Sequence, residues 1–339
     1  MQIAGAYLKG DVGMKGILKI SILSMLAFLM ICHVDFYENR TYLEASEDAG
    51  VLFREGFEDG NFSSRGWYDN TNLILSGSEH NANSSKSVEF HFKPSSTKPD
   101  SGAAIRRKFS ETESLYVSYY VKYSENWTGS NRSYHPHEFA ILTNVDGDWI
   151  GPAFTHLTFY IEQNEGEPLL AMQDGRNIDQ SRVGADLTGI TEDRAVAGCN
   201  GDTDEYKGGC YSAGPYYNNG KLWRAGKMYF SNDAGPYYKS NWHFIEVFAE
   251  LNSIRNGKAG TDGILKYWYD GELIIDHEDV VFRTGQHPDI KFDQFIIAPW
   301  IGDGSPVDQT FWVDDLTVAT GRFSTSISAP RNLRIVRIE

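Results

Sequence analysis

The chain has 339 residues and carries 31 Lys and Arg against 46 Asp and Glu, a formal charge of −15. Its one basic cluster is Arg106-Arg107-Lys108, which excludes a nucleic-acid-binding protein and one held by charge on an acidic membrane surface. Aromatics make up 14%, and there are 33 Gly with 11 Pro, a turn-rich globular composition and not a disordered one.

From Met14 onward, Lys15 and Lys19 precede an apolar run over residues 20–32. That run is short for a membrane span and right for a secretory signal. Residues 1–49 are therefore expected to be an export signal with a disordered lead-in, which makes the protein secreted, periplasmic or cell-surface. An uncleaved anchor is the alternative, and it is the only membrane attachment the sequence suggests.

No helical periodicity of useful length follows residue 50. Short alternating runs recur instead, at 51–57, 87–92, 104–109, 115–123, 138–144, 156–162, 169–174, 242–252, 263–269, 272–277, 292–298 and 310–319. Asp270-Gly271 reads as a hairpin turn. This rhythm predicts an all-β jelly-roll β-sandwich over residues 50–322, with 323–339 as a C-terminal tail or linker. The interval 175–239 breaks the rhythm and is expected to form long loops over one mouth of the sandwich. It contains Cys199 and Cys210, which in an exported protein predict a disulfide worth about 3 kcal/mol in the chain-entropy account. Zinc would want four ligands, and no second pair is spaced to supply them.

The run at 242–252 has two unlike faces. His243, Ile245, Val247, Ala249 and Leu251 read as core, while Trp242, Phe244, Glu246, Phe248, Glu250 and Asn252 combine rings, carboxylates and an amide. Flat rings for sugar faces and polar groups for hydroxyls are what a carbohydrate groove needs, although an ordinary half-buried strand has the same pattern.

Glu55-Gly-Phe-Glu-Asp-Gly-Asn-Phe with Gly66-Trp67 near the start, and Trp312-Val-Asp-Asp-Leu-Thr-Val318 near the end, resemble the first and last strands of concanavalin A-like jelly rolls. With Asn241-Trp-His-Phe-Ile-Glu and Tyr267-Trp-Tyr-Asp-Gly-Glu the resemblance extends over roughly residues 51–320, and it is strongest to the jelly-roll polysaccharide lyases of heparin, alginate and glucuronan type. The resemblance implies a polysaccharide partner, uronate-containing and anionic, and no cofactor for catalysis. It also implies a structural calcium, for which Glu55, Glu58, Asp59, Asp314 and Asp315 supply hard oxygens; a solvated acidic rim is the alternative.

The chemistry then divides by class. Glu246 and Glu250 lie four residues apart on one strand face, about 13 Å, which disfavours retaining hydrolysis, and the Glu-x-Asp-x-x-Glu run of the jelly-roll glucanases is absent. A lyase needs a base, an acid and a group to neutralise the uronate carboxylate. Tyr134-His135-Pro136-His137 puts two imidazoles at alternate positions entering a strand, so His137 or His135 is the expected base, with Tyr134, Tyr237 or Tyr238 as acid. Arg107 and Lys122 are the expected carboxylate partners; Tyr120, Trp242, Phe244, Glu246, Glu250, Asn252, Lys266 and Trp268 complete the substrate set. A non-catalytic carbohydrate-binding module using Trp242, Phe244 and Trp268 as platforms is the second reading, and a jelly-roll hydrolase the third.

Overall fold

A computed structural model describes residues 50–132, 136–174 and 219–323. The chain runs through β1 (Val51–Glu55), β2 (Trp67–Asp69), β3 (Ile74–Ser76), β4 (Ser87–Phe92), β5 (Ile105–Thr112) and β6 (Ser114–Tyr123). Next come β7 (His137–Thr143), β8 (Thr158–Asn164), β9 (Glu167–Asp174), β10 (Asn219–Arg224) and β11 (His243–Glu250). The last are β12 (Ile254–Arg255), β13 (Lys258–Ala259), β14 (Gly263–Tyr269), β15 (Glu272–Val280), β16 (Phe292–Trp300) and β17 (Gln309–Ala319). Among the described residues the helical pieces are two 3-10 turns, Phe62–Arg65 and Pro152–Phe154, and no helix is long and apolar enough to cross a membrane.

Two antiparallel sheets form the expected sandwich. Sheet A has the order β15-β14-β11-β6-β17-β4-β3, with β1 pairing the end of β17; sheet B has the order β10-β9-β8-β7-β16-β5-β2. First and last described strands are thus partners, with Phe53 opposite Val318 and Glu55 opposite Leu316, as the terminal motifs anticipate.

Period-two alternation decides what faces inward. On β11 the residues Ile245, Val247 and Ala249 enter the core, and on β6 Leu115, Val117, Tyr119, Val121 and Tyr123 do the same. Sheet B answers with Phe139, Ile141, Phe159, Ile161, Leu170, Met172, Phe295 and Ile297. Rings bridge the layers, with Tyr119 4.6 Å from Phe139 and Phe53 6.1 Å from Phe295. Leaving few polar atoms between the sheets is what makes the exceptions informative.

Two local breaks in alternation matter. In β17 the register against β6 slips between Asp314 and Thr317, where Asp315 has a φ of 48°; the extra residue bends the strand and turns both carboxylates toward the 77–86 loop. In β16 the register against β7 slips between Ile297 and Trp300. Opposite that slip, Glu138 and Phe139 both point inward, and Tyr123 donates its hydroxyl to Glu138 at 2.6 Å. Burial pushes the Glu138 carboxyl up to about 8 and drives the Tyr123 hydroxyl well above its ordinary value. At neutral pH the sandwich therefore encloses a protonated acid, and the neighbouring His137 is left facing outward.

Candidate functional site

The outer face of sheet B is laid out by strand register. One row runs Leu222, Ala171, Tyr160, Ala140, Ile296, Arg106 and Tyr68 across all seven strands. Small and aliphatic side chains at Ala140, Ala171 and Ile296 keep the middle of the row low, and the tyrosine stands among them.

His137 lies over Tyr160 with ring centroids 4.8 Å apart and planes at 21°. Its Nδ1 meets the Glu162 carboxylate, which sits two residues beyond Tyr160 on the same face of β8. A carboxylate only accepts, so Nδ1 carries the ring proton and Nε2 is the basic nitrogen. Glu162 is 8% exposed and His137 28% exposed along its side chain, so the acid anchors the ring from beneath. Tyr160 donates its hydroxyl to Gln173 Oε1 at 3.1 Å. With that oxygen engaged, the Gln173 amide N–H groups remain as donors. A base, a hydroxyl acid and a neutral donor thus meet within three adjacent strands, β7, β8 and β9.

The same face holds a second polar cluster toward β2. Arg106 donates to Asp69 at 2.8 Å, to the Ile150 carbonyl at 2.8 Å and to Gln294 Oε1 at 3.1 Å. Gln294 and Tyr68 both donate to the Asp148 carbonyl, at 3.1 and 2.9 Å, and Lys108 bridges Asp148 and Asp293 at 2.6 and 2.7 Å. These bonds hold the β7–β8 connection down over β16 and β5, where Ile150 packs on the Ala140, Leu142 and Ile296 patch. Through Ile150 the connection borders the patch that contains Tyr160.

The expected substrate residues of β6, β11 and β14 lie on sheet A, not on the sheet that carries His137. The 242–252 face is indeed outward, but its centre is filled by Arg322 and Phe323, which follow β17. Arg322 grips Glu246 with two bonds of 2.9 Å and lies 4.2 Å over Trp268, while Phe323 meets Tyr116 edge-on at 5.6 Å. Glu246 is fully buried and also accepts the Tyr116 hydroxyl at 2.8 Å. Glu246, Phe248 and Trp268 are therefore packing under a cap and not the floor of a trough. Tyr120 and Phe244 meet at 4.9 Å with planes tilted by 44° beside it, half-buried, as is Trp242. Lys122 is paired with Glu79 at 2.6 Å and Lys266 with Glu278 at 2.8 Å and Asp276 at 3.0 Å. Glu250, at the strand end, has its carboxyl raised by burial.

Three further expectations are corrected. Asn252 is fully buried: its Oδ1 accepts the Phe282 and Arg283 amides at 2.8 Å each, closing the connection after β15. Arg107 faces between the sheets, 4.3 Å over Phe53, because Ile105 and Phe109 on its side of β5 are core-facing; burial lowers its affinity for a proton. Tyr237 packs on Tyr229 and Tyr269 of the sheet A end and donates to Glu272 at 3.2 Å, and Tyr238 offers its carbonyl to His243 at 2.8 Å. Neither reaches the face that carries His137. Tyr134, His135, Cys199, Cys210 and residues 1–49 lie outside the described residues.

The acidic set near the chain ends does not fit calcium. Arg65 bonds Glu55 at 2.8 Å and Asp59 at 2.6 Å, and Trp67 Nε1 donates to Glu55 at 2.8 Å, so a guanidinium occupies the place a cation would take. Asp314 accepts the Asn81 amide at 2.9 Å and the Ser84 hydroxyl, Asp315 accepts the Asn81 side chain, and Glu58 accepts the Ser85 amide at 2.9 Å. Desolvation raises the Asp314 carboxyl to about 6. Among the described residues no group of three or more His, Cys, Asp or Glu is placed to hold a metal ion.

The sequence patterns do not mark Tyr160, Glu162 and Gln173 as site residues. They do mark the strands, and alternation against Phe159, Ile161 and Met172 already puts all three on the non-core face; what is missing is the pairing of β8 with β7 and β9.

No known protein family matches the sequence, and no curated protein does. Solved structures do. The alginate lyase vAL-1 from a Chlorella virus superposes with a TM-score of 0.50 at 12% identity, covering 80% of this chain and all of that one (100%). The PL-14 alginate lyase of the marine Aplysia kurodai gives 0.49 at 13% identity, over 80% of this chain and 100% of that one. The endo-β-1,4-glucuronan lyase of the fungus Trichoderma reesei gives 0.44 at 12% identity, over 80% and 96%. At these identities the likeness is one of fold: the chain has the jelly-roll sandwich found in polysaccharide lyases.

Proposed function

We propose that the outer face of sheet B is the active surface of a polysaccharide lyase that cleaves a uronate-containing polymer by β-elimination. The observation that carries this is the His137, Tyr160, Glu162 and Gln173 constellation, in which an oriented imidazole and a tyrosine hydroxyl share one small patch. The fold shared with alginate lyases agrees with it.

In this reading the uronate carboxylate takes hydrogen bonds from the Gln173 amide, which stabilises the negative charge that develops as the adjacent C5–H bond breaks. His137 Nε2 accepts the C5 proton, and Glu162 stabilises the imidazolium through Nδ1. The C–H electron pair becomes the C4–C5 double bond, the C4–O glycosidic bond breaks, and the departing oxygen takes the Tyr160 proton. Atoms and charge balance without a metal or redox partner. The buried floor limits hydration of the reacting groups and strengthens each of these contacts. The same reading takes the apolar N-terminal run as an export signal and the reaction as extracytoplasmic.

The test is incubation with alginate, glucuronan, heparin and a neutral glucan. Elimination leaves an unsaturated uronate absorbing at short ultraviolet wavelengths, hydrolysis leaves only new reducing ends, and a binding module leaves neither. A rise in absorbance with at least one uronate polymer is expected, and its absence across the panel refutes the lyase.

A further inference from the structure

Among the described residues three aromatic side chains are exposed, Trp149 at 68%, Phe154 at 67% and Trp300 at 39%. All three border the outer face of sheet B. Trp300 is the register partner of His137, and Trp149 and Phe154 sit on the β7–β8 connection. Isolated exposed rings need no explanation on a protein surface. Trp149 differs because the backbone around it is fastened on both sides. The Asp148 carbonyl takes bonds from Tyr68 at 2.9 Å and Gln294 at 3.1 Å, and the Ile150 carbonyl takes one from Arg106 at 2.8 Å. The Ile150 amide closes a turn onto Gly147 at 3.0 Å, and the Asp146 carboxylate caps the His156 amide at 2.9 Å. A connection this constrained has an apolar bed directly beneath it, filled by Ile150, yet the indole next to Ile150 is held out in water. Among the described residues its ring contact is T-shaped, to Tyr68 at 5.0 Å.

We propose that Trp149 is a preformed stacking platform for a pyranose ring of the polysaccharide, distant from the bond that is cut. This rests on the lyase reading of the same face. Tyr68 stands in the same register row as Tyr160, four strands away, which at the spacing of sheet neighbours is about 19 Å. A chain lying on both therefore crosses most of the sheet and presents several sugars, so the site is one for internal segments of a polymer. The platform works by apolar contact alone. The cations beside it are already satisfied, Lys108 by Asp148 and Asp293 and Arg106 by Asp69. Its contribution is then insensitive to salt, unlike that of a free cation. Fastening the backbone on both sides of the indole before binding lowers the ordering cost that a loose connection would carry.

The test compares the parent chain with Trp149→Ala and Trp149→Phe, using the uronate polymer that the panel identifies and its shortest cleaved oligomer. For the polymer, Trp149→Ala is expected to raise KM about tenfold with kcat unchanged, equally at low and high salt. The oligomer KM stays at the parent value, and Trp149→Phe recovers most of the loss. Retardation in polymer-containing gels supplies a readout that does not need turnover, and Trp149→Ala should migrate faster than the parent there. Unchanged polymer KM and retardation overturn the platform while leaving the lyase standing, as does an equal loss on polymer and oligomer. A parent that is retarded but inactive, with Trp149→Ala released, upholds the platform and refutes the lyase. A parent that neither binds nor cleaves any polymer overturns both.

Discussion

The two outer faces of the sandwich are built from the same kinds of residue and put them to opposite uses. On sheet A, the carboxylate at Glu246 is matched by Arg322, the rings at Tyr116 and Trp268 are covered by Phe323 and Arg322, and Lys122 and Lys266 are each paired. On sheet B, an imidazole, a hydroxyl and an amide converge at Tyr160, and exposed rings border the face. Aromatic and charged residues on a sheet face are thus no guide to binding until it is known what else the chain sets against them. A face that the chain caps for itself contributes stability, and the other carries the binding surface only in the reading proposed above.

That contrast makes specific claims. His137→Ala on sheet B should reduce turnover of the uronate polymer by about 10²–10⁴-fold, measured by the ultraviolet assay, while leaving denaturation curves close to the parent. Full activity in this variant removes the assigned base. Arg322→Ala on sheet A should do the reverse. It strands a fully buried carboxylate, so urea denaturation should show a loss of about 3–5 kcal/mol, with specific activity of the folded fraction retained. A large fall in turnover without a fall in stability would return sheet A to the catalytic surface.

Asn252→Ala probes the same face at its margin. Removing the buried amide leaves the Phe282 and Arg283 N–H groups without their acceptor, and about 1–3 kcal/mol of stability should go with them, again without an effect on KM.

A further expected effect is a pH dependence between the layers. Glu138 is protonated in the folded chain up to about 8 and ionised in the unfolded chain above about 4.5. Across that window the folded state holds the extra proton, so its part of the stability is full below the lower value and falls as pH rises toward the upper one. Glu138→Gln should flatten the decline of Tm between those limits. An unchanged slope would mean the acid does not titrate there.

Much of the architecture is legible in the sequence, because alternation over β6, β11 and β17 leaves little choice of inner face, and because the terminal motifs at Glu55 and Trp312 mark strands that do pair. His137 is legible for a local reason, the His-Pro-His run at a strand entrance. Tyr160, Glu162 and Gln173 are not, since alternation gives their face but not the pairing of β8 with β7 and β9 that gathers them around His137. The assignment of β11 failed for a non-local reason: the cap on Glu246 comes from Arg322, 76 residues further along the chain. Arg107 failed through parity, because the triplet Arg106-Arg107-Lys108 puts cations on both faces of β5 and only the packing of Phe53 and Phe295 decides which side is interior.

Locating a bound substrate tests the account most directly. A crystal structure of His137→Ala with an oligouronate should show the sugar on sheet B, its carboxylate at the Gln173 amide and its cleavable bond beside the Tyr160 hydroxyl. An oligosaccharide seated instead on the Tyr120 and Phe244 side of sheet A would contradict it.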